Sequence, residues 1–124
     1  MATFRPIKDK TCKLNFDDKF FFELPLHEDT ARMLAEVADK QIKTLSELDA
    51  NDPNSFDIAY NTSLDALDEI FGEGAGENIM SIYEKPSLFD VKAVVDYITN
   101  EFKTAYTAQL NAYKVTGTIP RGRR

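Results

Sequence analysis

Three glycines at positions 72, 74 and 76 give the segment 70–79, IFGEGAGENI, the spacing closest to a ligand-binding motif in this chain. A phosphate-binding loop needs Lys and then Ser or Thr directly after its last glycine, but Glu77 and Asn78 stand there. A dinucleotide-binding fingerprint would need a glycine where Glu77 lies. Because glutamate repels phosphate, we predict a turn in which Gly72 caps one helix and a new helix begins near Glu77.

Cys12 and His27 are the sole cysteine and the sole histidine of the chain. A thiolate–imidazole pair could act as a nucleophile and its base, so an enzyme that uses Cys12 and His27 stays an alternative. One histidine is too few for a multi-histidine metal site, and one cysteine rules out an internal disulfide. The sequence therefore predicts no catalytic residue, no cofactor and no metal site.

Two acidic pairs, Asp17–Asp18 and Glu28–Asp29, have the oxygen atoms that a hard cation prefers. Neither pair has the regular ligand spacing or the glycine of a calcium-binding loop. We therefore predict that both pairs lie in solvated turns.

Charge is distributed unevenly along the 124 residues. Residues 1–113 contain 11 Lys and Arg against 21 Asp and Glu, a charge of −10, whereas residues 114–124 carry +4. An acidic body repels phosphate backbones, so nucleic acid is not expected to be the main ligand. Binding of RNA through Arg121, Arg123 and Arg124 is the alternative, and a disordered basic tail over 114–124 is the simpler prediction.

Four aromatic residues are candidates for contacts with another protein: Phe21, Tyr97, Tyr106 and Tyr113. Phe21 is the middle residue of a run of three phenylalanines and is expected to face away from the core side of an edge strand. The tyrosines are spaced nine and seven residues apart, and we expect them to share roughly one face of a helix. Tyrosine is enriched in interfaces, although core packing would also explain this pattern.

These residues must be positioned by a hairpin and a set of helices. Alternation of apolar and polar residues predicts strands over about 11–16 and 20–26, joined by a turn at Asp17 and Asp18. Apolar residues at helical spacing predict helices over about 30–48, 54–71, 77–84 and 88–113. The stripe of the first helix is expected to include Leu34 and Ile42, and that of the last helix is expected to include Leu110. Asp68 of the second helix is expected to face water. Asp29 or Thr30 is expected to cap the first helix, and Ser87 is expected to cap the last, with Asp90 three residues on in a short capping box. The predicted fold is α+β and mainly α, one domain over 1–113 in which the hairpin packs on three main helices and a short one.

The segment 59–102, AYNTSLDALDEIFGEGAGENIMSIYEKPSLFDVKAVVDYITNEF, resembles the tail assembly chaperones of long-tailed bacteriophages and prophages of Gram-positive bacteria. The shared features are a helix ending in Ile70, Phe71 and Gly72, a corner of small residues, and a second long helix. With the hairpin before it, the resemblance covers about residues 10–113.

That resemblance implies binding to the phage tape-measure protein, which exposes apolar helical stripes until the tail tube protein assembles around it. It implies a place in the host bacterial cytoplasm, absence from the mature virion, and no membrane association. Residues 1–16 have no apolar run of signal-peptide length, which favours the same compartment. Self-association into a homo-oligomer is a further hypothesis.

Two other non-enzymatic functions stay open at this point. The chain could be a structural component of the virion, such as a tail completion or head–tail connector protein. It could also be a generic helical protein-interaction module.

Overall fold

The computed structural model describes residues 2–6 and 10–118, which contain two strands and four helices. In chain order they are β1 (Thr11–Phe16), β2 (Phe20–Pro25), α1 (Glu28–Ser46), α2 (Pro53–Phe71), α3 (Ala75–Met80) and α4 (Leu88–Thr118). The predicted α+β fold, mainly helical with an N-terminal antiparallel hairpin, is confirmed.

The hairpin turns at Asp17 and Asp18, as the sequence predicts. Both have positive φ, 57° and 56°, which is the requirement for the central residues of a type I′ turn. The Lys19 amide donates to the Phe16 carbonyl at 3.0 Å and closes the turn. The Asn15 side chain exchanges two hydrogen bonds of 2.8 Å with Asp18, which stabilises the unusual backbone conformation.

One face of the hairpin packs on the helices because its side chains alternate between core and solvent. Phe16 and Phe22 lie on the inner face and contact Phe71 at the end of α2, with ring centroids 6.3 Å and 4.4 Å away. The core continues into the helices, and its buried residues are Cys12, Leu14, Phe16, Leu24, Leu34, Val37, Ala66, Leu67, Ile79, Met80, Val91, Val94, Val95, Ile98 and Phe102. Burial of this apolar surface is the main force that holds the hairpin on the bundle.

The first helix begins two residues earlier than predicted because His27 caps it. The imidazole Nδ1 of His27 accepts a hydrogen bond from the Asp29 amide at 3.0 Å, so the cap is neither Asp29 nor Thr30. Asp52 caps α2 in the same way, accepting from the Asn54 amide at 3.1 Å, and Pro53 occupies the first helical position.

The glycine corner joins α2 to α3. Gly72 has φ 110° and ψ 162°, so its φ is positive as expected, but its ψ lies outside the left-handed helical region. Gly74 adopts the left-handed conformation, with φ 87° and ψ −10°. Gly76 lies inside α3, where a Cβ would come within 2.6 Å of the Leu64 carbonyl oxygen. The close approach of α3 to α2 therefore requires a glycine at 76.

Helix α4 ends at Thr118, five residues beyond the predicted end at Tyr113. Residues 119–124 of the predicted tail lie outside the described residues.

Two predicted core positions lie largely in solvent. Ile42 of α1 is 64% exposed and Leu110 of α4 is 43% exposed. Helical spacing alone does not reveal which part of an apolar stripe a neighbouring element covers.

None of the helices within residues 10–118 is long and apolar enough to cross a lipid bilayer.

Candidate protein-binding groove

Helices α1 and α4 enclose an apolar groove with a volume of about 260 Å³. We name it the α1–α4 groove. It is lined by Ala31, Leu34 and Ala35 from α1 and by Thr99, Phe102, Lys103, Tyr106 and Thr107 from α4. The groove exists because Ala31 and Ala35, one helical turn apart, have side chains too small to fill the space between the helices.

The floor of the α1–α4 groove belongs to the hydrophobic core. Leu34 and Phe102 are 3% and 5% exposed, and the Phe102 ring stacks against the Tyr106 ring with centroids 5.6 Å apart. A floor anchored in this way is rigid and preformed, which lowers the entropic cost of binding.

A second cavity of about 170 Å³ adjoins the groove. The two share Tyr106, and the second one is lined by Leu26, Glu28, Tyr106, Gln109, Leu110 and Tyr113. Together they form a largely apolar surface that follows α4 from Thr99 to Tyr113.

Polar contacts fix the shared residue, Tyr106. Its hydroxyl donates to Glu28 Oε2 at 3.0 Å. This hydrogen bond raises the pKa of Tyr106, and desolvation and the negative charge of Glu28 add to the effect. The phenol is therefore protonated at neutral pH and ties α4 to the first turn of α1.

The structure brings together two of the four predicted contact residues. Tyr106 and Tyr113 line the same cavity, and Tyr113 is 72% exposed. Tyr97 lies elsewhere, because nine residues are about two and a half turns at 3.6 residues per turn, so it lies on the opposite side of α4 from Tyr106. Phe21 is 66% exposed on the outer face of the hairpin, pointing away from the core as predicted, and is separate from the groove.

Sequence reasoning did not identify the small residues that create the groove. Ala31 and Ala35 flank Leu34, which the helical stripe did predict. A pair of alanines four residues apart beside a core leucine is the signal that would have indicated a space on this face. Lys103 also gave no signal in the sequence, and Glu28, in the adjoining cavity, was predicted only as part of a solvated acidic turn.

The environment of Cys12 disfavours its nucleophilic form, and His27 has a structural contact. Cys12 is 2% exposed, and its burial, with the nearby charge of Glu101, raises the pKa of its thiol. Raising the pKa disfavours the thiolate, which is the nucleophilic form. His27 has its Nδ1 engaged in capping α1.

The acidic pairs have basic partners nearby. Asp17 lies 3.9 Å from Lys19 in the hairpin turn, where a turn was predicted. The predicted turn at Glu28 and Asp29 is wrong, because both lie in the first turn of α1, where Asp29 pairs with Arg32. Within residues 2–6 and 10–118, no group of three or more His, Cys, Asp or Glu could hold a metal ion.

Comparison with protein-family models, with curated proteins and with solved structures finds no significant match for this chain.

Proposed function

We propose that this protein is a tail assembly chaperone of a long-tailed phage, which binds a helical segment of the tape-measure protein in the α1–α4 groove and keeps that protein soluble. The observation that carries the proposal is the groove itself, an apolar, preformed channel between two helices. Amphipathic helices bind such channels through apolar side chains at helical spacing. The resemblance of residues 59–102 to the chaperone family adds the identity of the client.

The charge of the chain fits this role. Residues 1–113 carry a net charge of −10. Repulsion between acidic complexes keeps a chaperone with a hydrophobic client soluble. The client would be held in the host cytoplasm until tail tube protein replaces the chaperone. Several copies along one long client would gain affinity from their proximity, so a homo-oligomer fits the same proposal.

Co-expression with the tape-measure protein tests the proposal. We expect the client to stay in the soluble fraction and to co-purify with the wild-type chain. An Ala35→Trp variant fills the groove, so we expect it to lose the client. Ala108→Trp is the matched control, because Ala108 is an exposed alanine on α4 that does not line the groove.

Three outcomes would contradict the proposal. One is a client that aggregates equally with and without the wild-type chain, and another is equal loss of binding in the two tryptophan variants. The third is the chain itself in purified virions, which protein staining would detect and which would favour a structural component of the tail or connector.

A further inference from the structure

The α1–α4 groove and the cavity that adjoins it at Tyr106 each have one charged side chain in their lining, and the two charges have opposite signs. Lys103 lines the groove and Glu28 lines the adjoining cavity. In the described part of the chain, neither side chain forms an ion pair. The apolar surface formed by the groove and the adjoining cavity is therefore bordered by one cation and one anion, neither of which forms an ion pair with a described residue.

The Glu28 carboxylate keeps acceptor capacity for a partner. An ionised carboxylate has about four lone-pair sites, and the Tyr106 hydroxyl occupies one of them on Oε2. The same hydrogen bond holds Glu28 in place, so a cation that approaches the cavity meets an oriented carboxylate and a smaller entropic cost.

The walls of the groove favour a helix over an extended strand. A bound strand would need backbone donors and acceptors from its host. The groove is lined by side chains of α1 and α4, whose backbone groups are hydrogen-bonded within their own helices. A helix brings its own backbone bonds already satisfied and presents only side chains.

We propose that the occupant is an amphipathic helix that carries a Lys or Arg to meet Glu28 and an Asp or Glu to meet Lys103, on either side of its apolar stripe. This inference rests on the proposed function, since it specifies the chemistry of the client segment. It also selects among the many apolar helices of a long client, because a helix with like charges at both positions would meet repulsion at one of them.

Two labelled helical peptides with the same apolar stripe test the inference by fluorescence anisotropy at low salt. The first carries one Lys and one Glu beside the stripe, about one to two turns apart, and the second has Gln at both positions. We expect the charged peptide to bind more tightly by about two- to fivefold for each exposed ion pair. Glu28→Gln and Lys103→Gln should each remove the gain in affinity from one ion pair. In the double variant, the two peptides should bind with equal affinity.

The outcomes separate this inference from the proposed function. Equal affinity of the two peptides for the wild-type chain would overturn the charge pattern while leaving the groove as a helix-binding site. Absence of binding by both peptides would count against the groove and so against both proposals. An advantage that survives in the Glu28→Gln, Lys103→Gln double variant would place the charge recognition elsewhere and refute the inference. Circular dichroism of each variant, expected to match the wild type, confirms the fold.

Discussion

Tyr97 binds both backbone groups of Asn15 through a single hydroxyl. The Asn15 amide donates to Tyr97 Oη at 3.1 Å, and the hydroxyl donates to the Asn15 carbonyl at 3.2 Å. In an antiparallel pair, a residue directs both groups either to its partner strand or away from it. Asn15 therefore belongs to a non-hydrogen-bonded pair with Phe21, and Tyr97 takes the place that a further strand would occupy at the edge of β1.

Removal of this hydroxyl should loosen the hairpin. We predict that Tyr97→Phe lowers the free energy of unfolding by about 1 kcal/mol, because two hydrogen bonds are lost and water compensates in part. Urea denaturation measures the change. Tyr83→Phe is the control, since the described contacts include no hydrogen bond from the Tyr83 hydroxyl, and it should stay near the wild-type value. If client binding fell in Tyr97→Phe without loss of stability, Tyr97 would be a contact residue after all.

A substitution at Gly76 in the glycine corner tests how closely α3 must pack on α2. Gly76→Ala should destabilise the fold by about 1–3 kcal/mol, because the new Cβ would meet the Leu64 carbonyl oxygen and force α3 away from α2. The shift would also strain the 2.7 Å hydrogen bond from the Gly76 amide to Asp68 Oδ1. Thermal unfolding measures the loss.

Gly72→Ala is the comparison, because no atom lies within 4 Å of the added Cβ and only its positive φ is strained. We expect a loss of about 1–3 kcal/mol there from backbone strain alone, because φ 110° and ψ 162° lie in a region that is essentially restricted to glycine. A Gly76→Ala variant as stable as the wild type would show that α3 can move without cost.

Local patterns predicted the elements of this fold well. The alternation of apolar residues in β1 and β2 and the turn at Asp17 and Asp18 depend on neighbours in the sequence, so the hairpin could be predicted. The capping carboxylate of Asp90, which accepts from the Ser87 amide at 2.9 Å, also lies within one turn and was anticipated.

Contacts between distant segments could not be predicted in the same way. Asp68 was expected to face water, but it accepts the Gly76 amide because α3 folds back on α2. The α1–α4 groove depends on the distance between two helices that are separated by 41 residues in the sequence. The prediction that the three tyrosines share one face of α4 is wrong for Tyr97, because a nine-residue spacing corresponds to about two and a half helical turns.

Cys12 provides a test of the enzymatic alternative. Because burial raises the pKa of its thiol, we predict that the native protein reacts with a thiol reagent such as DTNB far more slowly at pH 7 than the urea-unfolded chain does. A Cys12→Ser variant supplies the blank. Rapid stoichiometric reaction of the native protein would indicate an activated thiolate and would revive a role for Cys12 in catalysis.

The hydrogen bond between Tyr106 and Glu28 should change the titration of the Tyr106 phenol. The pKa of Tyr106 is raised, so the stabilising contribution of its hydrogen bond is complete below the ordinary tyrosine pKa of about 10 and is lost as the pH rises through the higher folded-state value. Phenolate absorbance near 295 nm should show one tyrosine that ionises later in the wild type than in Glu28→Ala. Tyr106→Phe identifies that residue. An unchanged titration in Glu28→Ala would mean that the hydrogen bond does not form in solution.

Gln41 and Ser63 form a buried polar pair that joins α1 to α2. The Ser63 hydroxyl lies 3.0 Å from Gln41 Oε1 and 2.8 Å from the Ala59 carbonyl oxygen, and a hydroxyl can donate to one acceptor at a time. Gln41 Nε2 has no partner among the described residues. The amide is thus poorly satisfied even in the native protein, at a site where Gln41 is 5% exposed.

A double-mutant cycle follows from this arrangement. Ser63→Ala alone should cost about 1–3 kcal/mol, because it leaves the buried Gln41 amide without its remaining partner. Gln41→Leu alone should be neutral or stabilising, since an apolar side chain replaces the unsatisfied amide and Ser63 still donates to Ala59. In the Gln41→Leu background, Ser63→Ala should then cost less than about 0.5 kcal/mol, and the difference between the two backgrounds is the coupling energy. Urea denaturation of the four proteins measures it, and an equal cost of Ser63→Ala in both backgrounds would show that Gln41 and Ser63 act independently.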